Sequence, residues 1–112
     1  MRGQTIRVIV ANAQALEKRK DVIARFMRGY RETIDYMYSD NPQVIKDYAE
    51  FVKVPEAMAR RVRDDFFPRG LLNPDEIQGL DTLVTEAVHL KFIPVPLTQQ
   101  QLAELIQIPP RK

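Results

Sequence analysis

Cysteine is missing from this 112-residue chain, which excludes a disulfide framework and any thiolate metal site. Histidine occurs once, as His89, so no pair of imidazoles can bind zinc. Its place beside an apolar helix face gives it a structural or surface role. The four glycines are scattered, and none lies in a phosphate-cradling loop. No apolar run approaches the ~20 residues of a membrane span. The opening stretch MRGQTIRVIVANAQ has too short an apolar core for a secretory signal, so the chain as written is expected to be cytoplasmic and not membrane-inserted. Charge of one sign is also scarce. A net charge of +2 and a pI near 9.0 leave only a weak basic bias, and nucleic-acid binders cluster their charge.

Catalytic groupings are absent too. Asp64-Asp65 and Asp75-Glu76 are adjacent carboxylates, and neighbours on a helix point about 100° apart rather than converging. Asp75 and Glu76 also sit where a first helical turn favours negative charge. With no nucleophile beside a base, no enzyme, cofactor or metal site is expected.

What is there is a chain of helices. Apolar content of 45% and charged content of 29% are those of one soluble globular domain spanning residues 1–112. The organising stretch is Asp21–Tyr38. Val22, Ile23, Phe26, Met27, Tyr30, Ile34 and Met37 fall on one helical face, with Arg25, Arg28, Arg31, Glu32 and Asp35 mostly on the other. Before it, Thr5–Ala11 alternates β-branched residues as a strand does. One strand cannot satisfy its own N–H and C=O groups. Either another chain supplies an edge, or the segment is drawn into a helix through Ala15 and Leu16. Pairing with a second copy is the expectation, through Ile6, Val8 and Val10.

Asn12 caps a short turn of helix over ANAQALEKRK. Asn41-Pro42 is a cap followed by proline at the first helical position, opening Pro42–Val52. Pro55 opens Pro55–Phe67, and Asn73-Pro74 repeats the signal for a helix running to about Lys91. Pro94 and Pro96 enforce an extended link. Thr98, with Gln101 three residues on, reads as a capping box for Gln99–Ile106. The fold class is therefore mainly α, about five helices with one N-terminal strand. Tyr30, Tyr36, Tyr38, Tyr48, Phe51, Phe66 and Phe67 could line a ligand pocket, but their helical spacing reads as core.

The basic clusters are Lys18-Arg19-Lys20, Arg60-Arg61-Arg63 and Arg111-Lys112. Residues 48–66 have the outline of a helix-turn-helix whose second helix would enter a DNA major groove. Against it stand Lys53 where glycine is usual in the turn, and Asp64-Asp65, which phosphates repel.

Taken together, VIVANAQALEKRKDVIARFMRGYRETIDYMY, DYAEFVKVPEAMARRVRDDFFP, GLDTLVTEAV and PLTQQQLAELI resemble the C-terminal region of ABC-transporter substrate-binding proteins. The subgroup is the nitrate/sulfonate/taurine type, similar to the thiamine-pyrimidine-synthesis family. The likeness covers nearly the whole chain and about the last third of a typical member. It implies the C-terminal part of a two-lobed type II periplasmic binding protein, which captures a small solute between its lobes and delivers it to a membrane permease. Full-length members are periplasmic. The first lobe has no counterpart here, so a complete cleft is not expected. The implied partners are a second copy of the chain, a permease, or a chain carrying the missing lobe. Asn12, at the end of the strand, is the nearest ligand-contact candidate, and capping explains it equally well.

Overall fold

A computed structural model describes residues 4–5 and 7–111. They fold mainly as α-helix and pack as two compact units, Ala11–Pro74 and Met1–Val10 with Asp75–Lys112. The first unit holds α1 (Ala13–Lys18), α2 (Lys20–Met37), α3 (Pro42–Val52), α4 (Glu56–Phe66) and a 3-10 turn at Arg69–Leu72. The second holds α5 (Leu80–His89) and α6 (Gln99–Leu105).

Local capping chemistry explains where several helices begin. The Asn41 side chain accepts from the Gln43 N–H at 3.0 Å, and Pro42 takes the first helical position, where no N–H is needed. Thr98 and Gln101 form the reciprocal capping box at α6, with bonds of 3.2 and 2.8 Å. Two helices end on lysines in the left-handed region. Lys53 (φ 58°) follows α3, with Val54 N–H donating to Ala49 O at 3.0 Å and Lys53 N–H to Glu50 O at 3.3 Å. Lys91 (φ 62°) follows α5, with Phe92 N–H on Ala87 O at 2.8 Å and Lys91 N–H on Val88 O at 3.0 Å. Both are the paired bonds of a Schellman ending with lysine in place of glycine. The turn at Lys53 thus forms without its glycine.

That turn folds α4 back on α3. Ile45, Ala49 and Ala59 make the most buried cluster, Ala59 at 0% exposure, with Tyr48 and Val54 packed against it. Two alanines at the contact let the helices approach closely, which larger side chains would prevent. The centre of burial is therefore this pair rather than α2. On α2, Met27 and Ile34 are buried, and so is Arg31. Arg31 lies four residues after Met27 and three before Ile34, so helical geometry puts it on their face and not on the opposite one. It is not left without a partner.

Three further readings need correction. No strand forms among the described residues. Thr5 exchanges bonds with Gln78, its N–H donating to Gln78 O at 3.0 Å and its Oγ1 accepting from Gln78 N–H at 2.8 Å, and residues 7–11 are irregular. One such pair is not a ladder, and a strand needs a full partner edge. Nor is the segment drawn into a helix, because Asn12 caps α1 at Ala13. Ile6 lies outside the described residues. Finally, α5 starts at Leu80 and not at Pro74. Gly79 (φ 73°) turns the chain there, while Asp75 and Gln78 are held by Arg111 (2.8 Å) and Thr5. Those contacts override the cap-plus-proline signal.

Two substitutions test this account in urea unfolding. Ile45→Ala should cost about 3 kcal/mol, from lost burial and the cavity left behind. Lys53→Gly should instead stabilise by roughly 0.5–1 kcal/mol, because glycine adopts the left-handed turn without a Cβ clash.

Candidate functional site

Uncovered apolar surface dominates the first unit. The stripe of α2 is wide, and only one half is covered, by the neighbours of Met27, Arg31 and Ile34. On the other half Phe26 and Tyr30 stack with ring centroids 6.2 Å apart, both exposed, and Tyr36 is exposed about 120° round the helix from Tyr30. Phe51 on α3 is 84% exposed, and Met58 and Phe66 on α4 are also open to solvent. Of the aromatic residues read as core, Tyr30, Tyr36, Phe51, Phe66 and Phe67 are exposed. Their stripes run wider than the single neighbouring helix can cover.

In the second unit the exposed apolar residues include Phe92, Val95 and Leu105 as well as the segment of residues 7–10. Val8, Ile9 and Val10 all face solvent, Val10 at 86% exposure. The alternation that suggested a strand leaves these side chains available to a partner. Asn12, by contrast, is committed locally: its Oδ1 accepts from Gln14 N–H at 2.8 Å and Ala15 N–H at 3.4 Å. That is capping, as its sequence position allowed.

Two arginines of α4 pair with acids of the same helix. Arg61 pairs with Asp65 at 3.3 Å, and Arg63 Nε donates to Asp64 at 2.7 Å. Arg63 is half-buried. Its Nη1 donates to Met37 O at 2.9 Å, and its guanidinium lies 5.6 Å from the centroid of the Tyr38 ring. The Tyr38 hydroxyl donates to Phe67 O, and Arg69 pairs with Asp35. These bonds fasten the C-terminal ends of α2 and α4 to each other. No sequence pattern announced the network, because its partners are 26 to 34 residues apart. The hydrogen bond from Arg63 holds the Asp64 carboxyl below its ordinary range. Partial burial pushes the Tyr38 hydroxyl up, an effect that Arg63 partly offsets.

Among the described residues no three His, Cys, Asp or Glu side chains gather as a metal site, and no helix is long and apolar enough to cross a membrane.

The Tyr38 network can be read by alkaline titration, since the chain has four tyrosines and no tryptophan to mask them. A folded-state pKa raised above the unfolded value means stability present below about pH 10 that falls as pH climbs through the folded value. One late-ionising tyrosine is expected in the absorbance titration. Tyr38→Phe should remove that late step and soften the alkaline loss of stability.

Compared with protein-family models, curated proteins and solved structures, the chain matches none of them.

Proposed function

We propose that the chain is the helical C-terminal portion of a solute-binding protein of the nitrate/sulfonate/taurine type, serving small-molecule uptake as part of an assembly. The observation that carries this reading is the half-covered stripe of α2, whose Phe26–Tyr30 face is built for burial and lacks a cover. The likeness of its sequence segments to that family supports the same reading. In such a protein the solute sits between two lobes, so this portion alone holds no complete cleft. It self-associates, or joins a chain bearing the other lobe, to cover its open surfaces.

A thermal-shift screen with nitrate, taurine and other sulfonates, pyrimidines and aromatic acids tests the cleft. A ligand at 100 times its Kd stabilises by about 2.7 kcal/mol, which is on the order of 10 °C or more in a domain this small. No saturable shift is expected from the chain alone. A saturable shift of that size would overturn the incomplete-cleft reading.

One observation favours a second reading. A left-handed turn at Lys53 joins α3 to α4 and Ala49 and Ala59 share one buried cluster, so two packed helices linked by a short turn occupy residues 48–66, as a helix-turn-helix requires. The pairing of Arg61 and Arg63 with Asp65 and Asp64 weighs against it, because those guanidiniums are already neutralised. Duplex DNA at low salt, where phosphate attraction is strongest, should show no retention. Salt-dependent retention would instead support the DNA-binding reading.

A further inference from the structure

We infer that residues 75–79 are a latent extension of α5, held out of the helix by Thr5 and Arg111. The second unit thereby carries a conformational switch: latched, α5 starts at Leu80, and released, it starts at Pro74. The extension is half built. Asn73 already has the backbone of a helix cap, φ -68° and ψ 110°, beside φ -67° and ψ 116° for Asn41 before α3. Pro74 and Asp75 then form a turn, which the chain leaves at Glu76.

The residues suit a longer helix. Asp75 and Glu76 would put negative charge in its first turn, where the helix dipole favours it. Ile77, Leu80, Val84 and Ala87 recur at helical steps and all are half-buried, so the extension keeps the inner face of α5. As it stands, α5 begins on Gly79 at φ 73° with no side-chain cap. In the longer helix the carbonyls of Glu76, Ile77 and Gln78 would accept from the N–H groups of Leu80, Asp81 and Thr82.

The latches hold atoms that the longer helix would use. Thr5 N–H donates to Gln78 O at 3.0 Å, and Gln78 N–H donates to Thr5 Oγ1 at 2.8 Å. A helix from Pro74 needs the Gln78 carbonyl for Thr82 and the Gln78 N–H for Pro74 O, and one N–H cannot serve both states. Arg111 Nε donates to Asp75 at 2.8 Å and anchors the start of the segment. All four residues belong to the second unit, so the contest is settled within it. Gly79 favours the latched state, since it takes the left-handed turn freely and is a poor helix-interior residue. The states differ by a few hydrogen bonds and one glycine, a balance small enough for two substitutions to reverse.

Backbone NMR shifts and amide exchange of the full chain read the switch. In the wild-type chain helical Cα shifts should begin at Leu80. Thr5→Pro with Arg111→Ala removes the N–H, the hydroxyl and the guanidinium of the latches. Helical shifts should then begin at Pro74, with exchange at Gly79 and Leu80 slowed roughly tenfold or more. Adding Gln78→Pro should erase both effects, since proline cannot donate within a helix. Gly79→Ala in the otherwise unchanged chain should move the boundary the same way, because alanine disfavours the left-handed turn and favours the helix. Random-coil shifts over residues 75–79 in the released chain, with α5 still starting at Leu80, would overturn the switch. Should the released chain lose α5 and α6 altogether, Gly79→Ala decides: an unmoved boundary overturns the switch, and a boundary at Pro74 upholds it.

Discussion

The close approach of α3 and α4 at Ala49 and Ala59 is the constraint on which the first unit depends. Helices of this length are marginal alone in water, so each needs a face to pack on. The left-handed Lys53 supplies the reversal, Val54 closes over the cluster, and Ile45 fills what the alanines leave. Seating Ala59 also fixes the helix turn after it. Arg63, one turn on, is thereby aimed at Met37 O and the Tyr38 ring. Packing in one place thus determines which arginine is spent on structure in another, and the same step draws Asp64 into a pair that removes positive charge from the helix surface.

Much of this was legible in the sequence wherever a signal is satisfied by atoms close in the chain. Asn41-Pro42 and Thr98-x-x-Gln101 make their bonds within three residues, so tertiary packing has little chance to overrule them. Asn73-Pro74 is the counterexample. The signal is as good locally, but Asp75 answers to Arg111, 36 residues away, and Gln78 to Thr5, 73 residues away. No pattern of neighbouring residues carries that information. Thr5–Ala11 shows no strand among its described residues for a related reason: alternation shows that a segment can pair, pairing needs an edge, and the expected edge was a second copy's, whereas this chain offers only Gln78.

At the candidate site the exposed valines could be read from alternation, and the capping of Asn12 from its position before a helix. The burial of Arg31 could have been found by counting its spacing from Met27 and Ile34 instead of trusting its charge. The open half of the α2 stripe could not. Periodicity shows which residues share a face, and is silent on how many neighbours arrive to cover it.

That distinction connects stability to association. Phe26, Tyr30 and Tyr36 are exposed in the folded chain, as they are when it is unfolded, so their surface adds little to folding while it stays wet. It begins to contribute only when something binds the folded helix and not the unfolded chain, and stabilisation then grows with partner concentration. If a partner covers that flank, its binding and the folding of the first unit become one equilibrium.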